Sequence, residues 1–294
     1  MSPAAARRLR LALAAIWLID AALQFQPYMF TRAFGHTLAA SAQGNPRVIA
    51  GPITWSAGII QHQPAVTNAA FALVQLLIAV GIAWRPAVKY ALAASVVWSV
   101  AVWWLGEGLG GVLTGSASPW TGAPGAVIIY ALLAVLLWPA ERDASASFVA
   151  GRPLGRLPAR LLWLVLWGGM AFLALQSANM APHGQRASAL LAIVFQLIAG
   201  GIFLPAACAR VAVVMAAAAS AVIWIVGEDF GAIFTGSSTD LNSGLLLGLL
   251  AVAYWPAGAA ARAGDGKEVA GASSVTISMA SHGHSTAQMP QPLQ

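Results

Sequence analysis

Trp103-Trp104-Leu105-Gly106-Glu107-Gly108-Leu109-Gly110 is matched by Trp224-Ile225-Val226-Gly227-Glu228-Asp229-Phe230-Gly231, 121 residues further along the chain. Each octapeptide closes a long apolar run. Each continues into Thr-Gly-Ser, at Thr114-Gly115-Ser116 and Thr235-Gly236-Ser237. The same displacement pairs Gln75 with Gln196, Ser99 with Ser220 and Lys89 with Arg210. A slightly shorter displacement pairs Trp138-Pro139 with Trp255-Pro256. Agreement of this many special residues marks an internal duplication.

The solvent of this chain follows from its composition. Of its 294 residues, 8% are charged and the mean hydropathy is +0.76. Soluble domains carry about 25% charged residues. The apolar residues come in runs of about 17–20, the length that crosses a bilayer. Spans are expected near 9–26, 66–84, 87–106, 124–138, 159–177, 188–204, 207–226 and 241–255. The formal charge of +6 and pI of about 10.2 do not indicate nucleic acid, because the basic residues flank the runs. With the N-terminus in the cytoplasm, the inner segments hold Arg7, Arg8, Arg10, Arg85, Lys89, Arg142, Arg152, Arg156, Arg160, Arg210, Arg262 and Lys267. The outer segments hold Arg32, Arg47 and Arg186. That positive-inside bias supports an even number of spans, with both termini inside a cell membrane. The first run lacks a small-residue cleavage site and is read as a retained helix rather than a signal peptide.

Four spans per copy give both copies the same orientation. The expected fold is all-α: a polytopic membrane protein of eight helices, two parallel four-helix repeats about a pseudo-two-fold axis along the membrane normal. Residues 1–140 form the first repeat with a long outer loop (27–65). A cytoplasmic linker covers 141–158, the second repeat covers 159–256, and residues 257–294 are expected to be a disordered cytoplasmic tail. The outer loop is much shorter in the second copy, about 178–187. Pro46 to Gln63 is the extra piece, expected as an interfacial helix or a lid.

Glu107 and Glu228 are the first candidates. Each lies in a Gly-xxx-Gly pattern that favours close helix contact, four residues after Trp103 or Trp224. They are expected either to bind a cation or proton in a central outer cavity, or to sit in an interfacial turn. Gln75 and Gln196 lie mid-span at the depth of Ser99 and Ser220, as interhelical bonds or as a polar site. Asp20 is the acidic residue within a span, a functional candidate unless it pairs with Arg32 or reaches water. Its aligned partner is Met170, so Asp20 would act in one half alone. His36, His62 and His183 fall in outer loops; His282 and His284 fall in the tail near Met279 and Met289. No paired intramembrane histidines offer haem ligation, and no ligand spacing defines a metal site. Most of the twelve tryptophans fall at span ends, as an interfacial belt would require.

Phe71-Ala-Leu-Val-Gln75-Leu-Leu-Ile-Ala-Val-Gly81-Ile-Ala-Trp-Arg85 and the Ala-rich run after it resemble the second and third helices of the DoxX-like four-helix membrane family. Phe195-Gln196-Leu-Ile-Ala-Gly-Gly201-Ile-Phe203, followed by Arg210, is similar, and Arg10 to Gln26 fits the first helix. The resemblance implies a four-helix membrane unit and a link to quinone or thiol redox systems. The chain departs from that pattern in its two fused units and its Gly-Glu-xx-Gly element. With Cys208 as its one cysteine, thiol exchange by this chain alone is not expected.

Three functions follow as expectations. An accessory or assembly component acting through membrane protein partners would be tightly packed, with no cavity joining Asp20, Gln75 and Glu107. A transporter of a small solute, ion or proton would have an outward cavity lined by Glu107 and Glu228, with Asp20 deeper. A quinone-linked redox protein would place Trp103, Trp104 or Trp224 against a ring and Gln75 or Gln196 on a carbonyl. No catalytic motif marks an enzyme, and quinone is the sole cofactor these readings admit.

Overall fold

The computed structural model describes residues 3–140, 142–143, 145–180 and 185–256. His183 and the tail, with Arg262, Lys267, Met279, His282, His284 and Met289, lie outside the described residues. Among the described residues the chain is all-helical, without strands.

Helices occupy every stretch read as a span: α1 (Pro3–Leu23), α4 (Pro64–Ala83), α5 (Val88–Leu105), α6 (Ala126–Leu136), α8 (Arg156–Met180), α9 (Gln185–Gly201), α10 (Ala206–Val222) and α11 (Asn242–Ala253). Between them lie α2 (Arg32–Ala40), α3 (Arg47–His62) and the single turn α7 (Gly151–Leu154). Proline starts α4 at a position where its missing N–H costs nothing, and Pro205 precedes α10. By length and composition, four helices can cross a membrane: Pro64–Ala83, Val88–Leu105, Arg156–Gln176 and Ala206–Thr235. Ala126–Leu136, Arg186–Gly201 and Asn242–Ala253 are apolar but shorter. These helices are apolar on their outward faces too: Val97, Val165 and Phe172 are all exposed. A helix apolar all round needs lipid or protein on every side.

The helices pack in sequence. α1 lies on α4, α4 on α5, and α5 on α6; α8 lies on α9, α9 on α10, and α10 on α11. α6 and α11 join the two sets. Gly81 faces Ala91 where α4 meets α5, and Gly201 faces Ala212 where α9 meets α10. Small residues there let backbones approach, which matters where lipid removes the hydrophobic drive for association. Trp17, Trp163 and Trp167 are fully buried in this packing rather than set in a belt. Trp163 touches both Trp167 and Tyr254, and its Nε1 donates to Ile198 O at 2.8 Å.

Two segments are more structured than composition suggests. The linker folds back: Phe148 stacks on Tyr254, and Ala150 N–H donates to Ala253 O at 3.0 Å. Its charges pair locally, Arg156 Nε with Asp143 at 2.9 Å. The long loop becomes α2 and α3, which pack on each other and reach α4 and α5. Met29, Phe34 and Ile60 form its core, with Phe71 of α4 packed against them.

Both Gly-xxx-Gly patterns start at a helix end and run past it: Gly106 caps α5, and Gly227 closes the π-helical turn Ile223–Gly227 that continues α10. α5 stops at Leu105, and residues 108–111 follow with positive φ throughout (57, 60, 63 and 71°). Gly110 is needed there, since a Cβ would fall 2.1 Å from Pro124 O. The glycines do allow close approach, but to the backbone leading into the next helix.

Candidate functional site

Asp20 sits in the last turns of α1 and is 1% exposed. A carboxyl at that depth needs a donor. The donor is Tyr130 of α6, whose hydroxyl bonds Asp20 Oδ2. Arg32, the expected partner, is exposed and does not reach it. Trp17, one turn earlier, holds the tyrosine ring at 4.3 Å and donates Nε1 to Ser95 Oγ at 3.2 Å. The Leu241 N–H also approaches this carboxyl, but Asp20 Oδ1 makes no hydrogen bond of ordinary geometry.

Asp20 lines a cavity of about 470 Å³ together with Gln75 and Glu107. Its walls come from parts of the chain far apart in sequence. α1, α4, α5 and α6 supply the sides, Ser56, Ile59 and Ile60 of α3 and Leu38 of α2 cover it, and Thr239 and Asp240 reach in before α11. Phe71 and Trp98 meet edge-to-face on its wall at 5.5 Å. The end of α1 is fixed to the segment before α11: Gln24 Nε2 donates to Thr239 O at 3.3 Å, and Gln26 Nε2 to Ser238 O at 3.2 Å. Asn68 of α4 donates to Gln24 O at 2.6 Å.

Glu107 also borders a second, more polar cavity of about 400 Å³ lined by Ser41, Asn45, Thr114 and Thr121. Its partial exposure is to these two spaces. One of its oxygens accepts from Val127 N–H at 3.3 Å, at the start of α6; Oε2 has no partner. Burial raises its pKa, the nearby Asp240 raises it further, and backbone bonds at Val127 and Ala126 only partly offset them: it is pushed up to about 8. Burial also raises Asp240. Gly125, with φ of 116°, lies against this carboxylate; a Cβ there would be 2.2 Å from Oε2 and 2.9 Å from Trp103.

Glu228 does not share the cavity with Glu107. It accepts from Gly244 N–H at 2.9 Å and from the Ser243 hydroxyl, at the start of α11. The 117-residue displacement that pairs the Trp-Pro ends also pairs Val127 with Gly244 and Ala126 with Ser243. Both glutamates therefore close the N-terminus of the next helix, where a carboxylate is favoured. Ala126 has no side-chain donor where Ser243 has a hydroxyl, so Glu107 lacks the side-chain bond that Glu228 has.

Gln196 departs from the sequence pairing as well. Gln75 is buried and Gln196 is exposed. Buried positions 72, 75, 78, 79 and 82 of α4 repeat at 192, 195, 198, 199 and 202 of α9, a displacement of 120. One residue of slip turns a helical side chain by about 100°. Phe195, packed on Trp167 at 5.5 Å, takes the interior position of Gln75. Ser99 is buried without a partner, so the expected bond to Gln75 is not made; Ser220 bonds Ala216 O at 2.7 Å. Trp103 and Trp224 fasten their helices to the following loops, donating to Pro124 O at 2.7 Å and Leu241 O at 2.9 Å. Neither they nor the half-exposed Trp104 line the cavity. His36 and His62 are exposed, and among the described residues no three His, Cys, Asp or Glu side chains gather as metal ligands.

No family model, curated protein or solved structure matches the chain. The site rests on its own geometry. Sequence reading missed Tyr130, Asp240, Gln24 and the Trp98–Phe71 wall. Gln24 and Asn68 carried a signal, as amides flanking apolar runs; Tyr130 and Asp240 acquire meaning only through contacts with distant parts of the chain.

Proposed function

We propose that this chain is a multi-pass membrane protein that takes a small solute into the chamber at Asp20, Gln75 and Glu107 and moves it across the bilayer. In this reading all eight long helices cross, both termini are cytoplasmic, and the halves are parallel DoxX-like units. One observation carries it: a single cavity connects three polar side chains spread over α1, α4 and the end of α5. A purely accessory component would gain nothing from leaving buried oxygens unpaired around an open space, since each costs about 1–3 kcal/mol. The lid of α2 and α3 belongs to the transporting half, and Glu107 stands between the chamber and the polar vestibule.

Proteoliposomes challenged in turn with small amines, alcohols and carboxylates, read by membrane current and an internal pH dye, test this. At least one class should give a protein-dependent signal. Asp20→Asn or Glu107→Gln should reduce it roughly tenfold or more, while Gln196→Leu should retain it. Silence of the native protein toward all three classes would contradict the proposal.

A further inference from the structure

Four buried side-chain oxygens of the chamber are left without a donor. Asp20 Oδ1, Gln24 Oε1, Gln75 Oε1 and Glu107 Oε2 have no hydrogen-bond partner. Asp20, Gln24 and Gln75 are 1%, 3% and 8% exposed, so bulk water does not serve them. The lining hydroxyls spend their protons elsewhere: Ser56 on Ile53 O at 2.9 Å, Thr67 on Gln63 O at 2.7 Å, and Tyr130 on Asp20. Three carboxyl groups line the space, those of Asp20, Glu107 and Asp240; its other titratable groups are Tyr28 and Tyr130. Among the described residues no Lys, Arg or His faces it from any wall. The remaining surface is apolar and aromatic, with Trp98 and Phe71 adjoining.

A quinone would leave these oxygens unpaired, because its carbonyls only accept. A carboxylate is repelled by the acidic side chains. The missing element is a donor with positive charge and an apolar body. Aromatic faces attract such a cation, and a buried carboxyl that gives up its proton becomes its counter-ion. We infer that the chamber takes a protonated primary or secondary organic amine, its ammonium on Asp20, Gln75 and Glu107 and its body against Trp98 and Phe71, in exchange for a carboxyl proton. This specifies the ligand class of the solute chamber proposed above and rests on that reading. The exchange is balanced: the ammonium enters intact, one carboxyl O–H gives its proton to solvent, and no other bond changes. Glu107 can supply that proton near neutrality, since burial and Asp240 push it up to about 8.

The test is calorimetric titration of the full chain in nanodiscs with 2-phenylethylammonium, 2-phenylethanol and 3-phenylpropanoate. Two buffers of different ionisation heat report the proton. The amine should bind, with the alcohol roughly tenfold or more weaker and the carboxylate not binding. About one proton should leave per amine near pH 7. Glu107→Gln should abolish that release and weaken the amine at least about tenfold. Ala101→Phe, which fills the chamber without touching a carboxyl, should block binding; Gln196→Leu should leave it intact. Equal affinity for amine and alcohol, both blocked by Ala101→Phe, would overturn the cation while leaving a solute chamber. Amine binding with no proton release would overturn the exchange. Failure of all three probes on the native chain would overturn both this inference and the chamber reading.

Discussion

Ala126 and Ser243 show how little separates an occupied carboxylate from an available one. Each stands at the start of the helix that its glutamate caps, and the serine hydroxyl bonds the Glu228 oxygen that Gly244 N–H does not. Ala126→Ser should supply the same donor to Glu107 and lower its pKa. The consequence for stability has a definite sign. A carboxyl raised from 4.5 to about 8 contributes fully while protonated, below about pH 4.5, and that contribution is lost as pH rises through 8. Thermal unfolding in detergent should therefore weaken between these values in the native chain. The fall should begin at the same pH but end at a lower one, and so be smaller, in Ala126→Ser, and this component should vanish in Glu107→Gln. An unchanged profile in both variants would show that Glu107 does not titrate in this window.

At the level of elements, the apolar runs were legible because their solvent dictates length and composition. Helices stand at each expected stretch, ending close to where Gly106 and the Trp-Pro dipeptides interrupt the pattern. What failed was register. Gln196 matches Gln75 as a letter, yet α9 is displaced by 120 residues from α4 while α10 is displaced by 121 from α5. A one-residue difference in the turn between helices is enough to carry an amide from core to surface. The Gly-xxx-Gly pattern misled for a related reason: helix spacing was applied past the helix end. The second such turn, residues 229–232, is left-handed at Asp229, Phe230 and Ala232, with φ of 46, 56 and 52°. An L-residue there costs about 1–2 kcal/mol. Ala232→Gly should raise the unfolding free energy by about 1 kcal/mol, seen as a higher thermal midpoint. A lower midpoint would mean that the methyl group contributes packing greater than the strain.

Across the whole molecule, segments that match in sequence differ in chemistry. Met170, Phe195 and Leu247, which align with Asp20, Gln75 and Tyr130, are all three buried. The chamber lies among α1, α4, α5 and α6, and these aligned positions are apolar. The sequence exposed part of this, in the Asp20–Met170 mismatch and the unequal loops. It did not reveal that Asp20 meets Tyr130, 110 residues away, or that Asp240, just before α11, lines the same chamber. Such pairings depend on tertiary contacts that no local period encodes.

Thiol accessibility tests the chamber most directly. The exposed Cys208 is replaced by serine, and single cysteines are placed at Ala101, on the chamber wall, and at Val222, 121 residues on and exposed on its helix. A small cationic methanethiosulfonate should modify Ala101→Cys from water, and 2-phenylethylammonium should protect it. Val222→Cys should react slowly and without protection. A wild-type-like fold in which Ala101→Cys is inert, or reacts no faster than Val222→Cys, would contradict the account.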